Sequence, residues 1–273
     1  MIEAPVSLSG EDPRAPLLDA WYWLADSLIM AERNLLLWWR SFVFMALTLI
    51  QPIMFVLLFR FVLGSSIHVP TPGGYTDYMM PGAIGQAGAF ASAGTALTLS
   101  RAMNRGTVER YRAMPIARSA FLTGRLFADA VRMATTIAVM TIIGFAIGLR
   151  FQVGWLPGLA MLGLGLLLGI VLCSASAFIG MVVRSEEAVQ SYGFIWIFPV
   201  TFVSSAFVPV TALPSWLQAF AREQPFTVAI DAMRALIVGG PTAGAVWKAL
   251  AWLVGLLVVF TVLAVQAYNR RSA

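Results

Sequence analysis

Residues 100–125 read SRAMNRGTVERYRAMPIARSAFLTGR and carry six arginines, Arg101, Arg105, Arg110, Arg112, Arg118 and Arg125. The planar guanidinium fork pairs bidentately with carboxylates, so a short segment this rich in arginine makes a rigid docking surface for an acidic partner. A helix starting near Thr107, after Gly106, must end before Pro115. Such a charged lever suits force transmission from a soluble motor into a membrane. The same arginines equally serve as a positive-inside anchor that touches no partner.

Other chemistry lacks material. His68 is the only histidine, which leaves little for histidine-based metal or triad catalysis. HExxH and GxSxG are absent, and no metal site is expected. A phosphate-binding P-loop requires Gly-Lys-Ser/Thr, yet the sole lysine, Lys248, lies in AVWKAL. If ATP and Mg are used, another polypeptide must bind them. Cys173 is the single cysteine, which excludes an internal disulfide. Intramembrane acids mark proton or cation relays; Asp77, Asp129, Glu223 and Asp231 are all expected at or beyond the edges of apolar runs.

These residues are set in a chain of 273 residues that is 59% hydrophobic and 11% charged, with a mean hydropathy of +0.82. A soluble domain carries about a quarter charged residues, so most of this surface must face lipid. The net charge of +5 comes from arginines at the ends of apolar runs. That placement reads as membrane topology and not as a nucleic-acid footprint.

The runs predict six spans, at 41–63, 79–100, 126–149, 155–183, 188–211 and 246–269, each near the roughly 20 residues that cross the hydrocarbon core. The third reaches this length only with Asp129 and Arg132 at its interface. Arginine is concentrated in the segments that face inward when both termini are cytoplasmic. Trp21, Trp23, Trp38 and Trp39 then fall at the inner boundary, and Trp155, Trp216, Trp247 and Trp252 at the outer one. Residues 1–16 have neither a basic n-region nor an apolar h-region, so they read as a disordered lead and not a signal peptide. Residues 270–273 form a cytoplasmic tail.

Residues 17–40 are amphipathic. Leu17, Trp21, Leu24, Leu28, Leu35 and Trp39 share one helical face, while Asp19, Asp26, Arg33 and Arg40 recur at heptad spacing opposite them. This predicts an interfacial helix along the inner leaflet, with a soluble partner-binding helix as the alternative. In the fifth run, Pro199 and Pro209 are expected to break the span. Pro214, Trp216 and Leu217 then point to a short helix dipping back into the outer leaflet.

Two stretches carry a family resemblance. RGTVERYRAMPIARS, residues 105–119, resembles the inner loop of ABC-2 type transporter permeases. SSAFVPVTALPSWLQAFAREQPFTVAIDAMRALIVGGP, residues 204–241, is similar to that family's outer signature at Phe207, Pro209, Leu213, Pro214, Trp216, Leu217, Pro225, Asp231, Arg234 and Gly239. Gln224 stands where many members carry Asn. The resemblance runs from about residue 17 to 270 and is nearest to the daunorubicin/doxorubicin-resistance-like drug exporters.

The resemblance implies an all-α membrane protein of six transmembrane helices, with an N-terminal interfacial helix and outer re-entrant helices over residues 207–240. It implies a plasma-membrane permease subunit that works with a second permease, identical or related, and with separate ATP-binding subunits. Arg105, Gly106, Thr107, Glu109, Arg110, Arg112, Met114, Pro115 and Arg118 would then form the coupling helix on the ATPase. Residues 17–40 would be the connecting helix, and Phe207, Pro209, Leu213, Pro214, Trp216, Pro225, Asp231 and Arg234 would close the exit.

In such a dimer, Gln51 and Gln86 are the polar side chains placed to line a pathway, although they serve equally as interhelical glue. Phe194, Phe198 and Phe202 recur every fourth residue as an aromatic column that suits packing, a hydrophobic gate or a flat apolar substrate. Small residues from Ala87 to Ala96 predict close helix contact within the chain or across the dimer. The substrate class is apolar or amphipathic, drug or lipid-like, with polysaccharide export a variant within the family. An ATP-independent carrier or channel, and a membrane scaffold or insertion factor, stay open on residues alone.

Overall fold

The computed structural model describes residues 15–64, 69, 71, 73–105, 120–183 and 185–270. The described residues form helices and turns without a strand. In chain order these are α1 (Ala15–Arg40), α2 (Phe42–Leu58) running into a π-helical turn (Phe59–Leu63), and α3 (Gly74–Asn104). Then follow α4 (Ala120–Ala146), α5 (Trp155–Val182), α6 (Glu186–Phe202), a 3-10 turn (Val210–Ala212), α7 (Ser215–Glu223), α8 (Pro225–Val238) and α9 (Thr242–Arg270). Among the described residues, three segments are long and apolar enough to cross a membrane: Ala120–Ala146, Trp155–Val182 and Thr242–Tyr268.

The third helix is the hub. Its 31 residues reach about 46 Å and pack against α2, α4, α5, α6 and α8. Its sequence is Gly/Ala/Ser-rich, which lowers its hydropathy but lets backbones approach. A Cβ on Gly82 would strike the Ala206 carbonyl, and one on Gly180 of α5 would strike the Ala96 carbonyl. Lipid gives no hydrophobic drive for one apolar helix to prefer another, so close packing of this kind must supply the association. The small residues expected at an interface thus serve a contact within the chain, between α3 and α5.

The first helix sorts its residues into three faces. Ser27, Met30, Ala31 and Trp38 are buried and lie against α4. The Ser27 and Thr123 hydroxyls share a 2.8 Å hydrogen bond, and a Cβ on Gly124 would meet Met30 and the Ser27 carbonyl. Leu24, Leu28 and Trp39, from the predicted apolar face, stay exposed. The contact with α4 is a seam of small residues and Trp38 beside that face.

Three expectations change in detail. Pro199 does not break α6; it sits in the last turn, and the helix continues to Phe202. The 188–211 run therefore becomes a helix of 17 residues followed by irregular chain, α7 and α8. The fourth helix begins at Ala120, before the expected Leu126. Asp129 and Arg132 are therefore interior residues of this helix, whichever part of it faces the interface.

Candidate functional site

The proposed coupling segment lies mostly outside the described residues: Gly106, Thr107, Glu109, Arg110, Arg112, Met114, Pro115 and Arg118 all do. Its entry is visible. Arg105 is exposed at the C-cap of α3, and its N–H reaches the Arg101 carbonyl. The Arg101 guanidinium pairs with Glu186 at 2.9 Å, with both side chains partly exposed. This pair fastens the end of α3 to the start of α6, the helix that carries the phenylalanine column.

That column is real and unburied. Phe194, Phe198 and Phe202 stack at 5.9 and 5.7 Å between centroids and are 50%, 41% and 47% exposed. They are not core residues of this chain. The column closes into a ring that periodicity alone does not reveal. Phe202 meets Phe207 at 6.3 Å, and Phe207 lies flat on Phe59 at 4.1 Å. Phe59 continues to Phe55 at 6.0 Å, Phe55 to Phe90 at 6.1 Å, and Phe90 returns edge-on to Phe198 at 5.9 Å. All but the closer Phe207–Phe59 stack fall in the range of favourable aromatic pairs. The circuit joins α2, α3 and α6 to the 203–208 turn.

The two glutamines separate. Gln51, beside Pro52, lines a recess of about 230 Å³ between α2, α3 and α4, together with Phe90, Arg132 and Thr136. Gln86 is buried, and its Nε2 has no hydrogen-bond partner among the described residues. The structure does not bring the two amides to one wall.

The outer signature converges on one corner. Asp231 and Arg234, one helical turn apart on α8, pair at 2.5 Å. Arg234 uses every guanidinium nitrogen: Nη1 on Asp231, Nη2 on the Ser205 carbonyl at 2.6 Å, and Nε on the Tyr78 carbonyl at 3.2 Å. Its plane also lies 3.8 Å over the Tyr78 ring. The Ser205 hydroxyl donates to Asp231 at 2.6 Å. Tyr75 and Tyr78 donate to the Phe207 and Ser205 carbonyls, each at 3.2 Å. Burial pushes the Tyr75 phenol up to about 12 and raises that of Tyr78, so both stay O–H donors at physiological pH.

Irregular backbone leaves carbonyls to satisfy, and these side chains satisfy those of the 203–208 turn. Gln224 continues the pattern. It is buried, and its amide donates to the Val203 carbonyl and to Thr227 at 3.0 Å. Pro209 precedes the 3-10 turn, Leu213 follows it, and Pro214 caps α7. Pro225 opens α8, which ends at Gly239 with φ 96°, a left-handed backbone that favours glycine. Trp216 is 77% exposed and takes no part in the corner.

One constellation was missed at the sequence level. Asp129 is buried and ion-paired to Arg125 and to Arg132, both at 3.2 Å, while Thr95 donates to it at 2.7 Å. The signal was present as Arg-x3-Asp-x2-Arg, the spacing of neighbours on one helix face. Its placement at a presumed span edge concealed it.

A further cavity of about 710 Å³ lies between α5, α6, α7, α8 and α9, walled by aromatic and aliphatic residues such as Phe178, Trp196, Phe226 and Trp252. Glu223 is on its lining and pairs with Lys248 at 2.8 Å.

The profile of the ABC-2 type transporter family matches residues 27–238. This chain belongs to the ABC-2 type transporter family. The ABC-2 match runs from Ser27, within α1, to the end of α8, so it spans the α3–α5 contact, the arginine-rich loop and the Arg234 corner. The chain is also similar to a Mycobacterium tuberculosis protein named as a probable doxorubicin resistance ABC transporter permease. The two are 28% identical over 269 residues, covering 98% of this chain and 95% of that one. A daunorubicin resistance ABC transporter permease of Streptomyces coeruleorubidus is 27% identical over 224 residues, 82% and 79% of the respective chains. As an ABC-2 protein with three helices long and apolar enough to span, this chain is membrane-embedded.

Proposed function

We propose that this chain is the permease subunit of an ATP-binding-cassette exporter that moves an apolar or amphipathic substrate outward, on energy from ATP and Mg bound by a separate subunit. The carrying observation is similarity along nearly the full length to a permease named for doxorubicin resistance. Helices lie over all six apolar runs, which supports six spans with both termini cytoplasmic. In this reading α1 is the connecting helix at the inner leaflet and residues 105–118 are the coupling helix. Helices α7 and α8 form the outer re-entrant pair, held shut by the Arg234 corner.

The half-exposed aromatic ring supports a pathway between two permeases, identical or related. Its open side presents Phe194, Phe198 and Phe202 to whatever adjoins this chain. A flat or lipid-like molecule suits such a lining. The large cavity is likewise walled mainly by aromatic and aliphatic side chains, which favours drug or lipid over polysaccharide. The test is a resistance and efflux assay with the chain expressed alone, with its neighbouring ATPase, and with a Phe198→Ala variant. Export of anthracycline or lipid probes should require both subunits and fall about tenfold in the variant. Equal export by the chain alone would overturn the reading.

A further inference from the structure

The buried triad of α4 is unbalanced. Arg125 and Arg132 share the single carboxylate of Asp129, giving one excess positive charge among side chains that are 8%, 11% and 1% exposed respectively. Arg125 Nη2 and Arg132 Nε are buried with no hydrogen-bond partner among the described residues. A buried guanidinium is stable only when its donors and charge are met. Arg132 is the thirteenth of 27 residues in α4, so the excess lies midway along the helix.

Arg132 also lines the recess shared by Thr48, Gln51, Pro52, Phe90 and Thr136. Its lining is thus in part cationic and amide-bearing, with donors suited to oxygen acceptors. The rest includes Pro52 and Phe90, a member of the aromatic ring. At about 230 Å³ the recess holds one small charged group beside an apolar body. We propose that it binds the anionic group, a carboxylate or phosphate, of an amphipathic molecule whose apolar part lies against the ring. The site deepens the permease reading by giving the substrate an acidic end. Binding itself is testable without the ATPase.

The experiment measures binding of dansyl-labelled undecanoic acid and its methyl ester to the full chain in phosphatidylcholine nanodiscs. The acid should bind about tenfold tighter than the ester, and Arg132→Gln should abolish this preference while Arg132→Lys keeps part of it. Because Arg132→Gln could disturb folding, Gly94→Leu serves as an independent block. Gly94 lines the recess, and a Cβ there meets nothing within 4 Å, so the fold should hold while binding of the acid is lost. Equal affinity for acid and ester, or a preference surviving both Arg132→Gln and Gly94→Leu, overturns the proposal. In the assembled complex, acceleration of ATP hydrolysis by the acid identifies a transported substrate. Displacement of the acid by phosphatidylglycerol without a change in ATP turnover identifies a resident lipid headgroup. Failure of the ATPase to associate at all would remove the permease reading and leave the binding result standing.

Discussion

Arg234 shows how much one side chain does when it is the local source of donors. It ties the 203–208 turn to two helices, with one nitrogen on the Ser205 carbonyl of the turn, one on the Tyr78 carbonyl of α3, one on Asp231 of α8, and the guanidinium over the Tyr78 ring. Removing it takes one donor each from Asp231, the Ser205 carbonyl and the Tyr78 carbonyl, and leaves Ser205 and Tyr78 as the remaining donors at Asp231 and the Ser205 carbonyl. Arg234→Ala should therefore destabilise the solubilised protein by about 2 kcal/mol, read as a lower melting temperature. Arg234→Lys should recover little, because an ammonium lacks the fork that reaches three acceptors at once. The pairing of Asp231 with Arg234 was legible as an i, i+3 spacing. Its partners Tyr78, 156 residues away, and Ser205, 26 residues from Asp231, were not, because contacts between separate elements leave no local pattern. The same limit hid Phe55, Phe59 and Phe90, although the fourfold spacing of Phe194, Phe198 and Phe202 was plain.

At the scale of elements, hydropathy located the helices, and α4 extends beyond the apolar run that marked it, back to Ala120. Asp129 read as an edge residue because an isolated acid is costly in an apolar span. Two arginines and Thr95 offset that cost, and composition does not reveal such pairing. Similarly, α1 was correctly read as amphipathic, but its protein-facing seam is a third face of small residues that polarity alone does not separate. The seam gives a direct test. Ser27→Cys with Thr123→Cys, in a Cys173→Ala background, should cross-link on mild oxidation, since the hydroxyls are 2.8 Å apart. Adding Gly124→Leu should suppress the cross-link, because a side chain there meets Met30 and the Ser27 carbonyl. Unchanged cross-linking would show that α1 does not pack on α4 through this seam. For the inner loop, Glu109→Ala or Arg110→Glu should lower transport per ATP hydrolysed about tenfold while leaving membrane insertion intact. Unaltered transport and ATPase docking in both variants would remove the coupling role.

For the whole molecule, the arrangement divides labour between its two ends. The inner end offers an arginine-rich loop bracketed by α3 and α4, with α3 tied to α6 through Arg101 and Glu186. The outer end is fixed to the same α3 through Tyr75, Tyr78 and Arg234. Helix α3 therefore joins the end that leads into the arginine-rich loop to the Arg234 corner and the aromatic ring beside it. The central claim is that this link is driven by ATP hydrolysed on another chain. It is tested most directly by uptake of a fluorescent anthracycline into inverted vesicles holding this chain with or without the neighbouring ATPase. The account predicts uptake only with both chains and ATP, abolished when the ATPase's catalytic site is disabled. Uptake by this chain alone, indifferent to ATP, would contradict it.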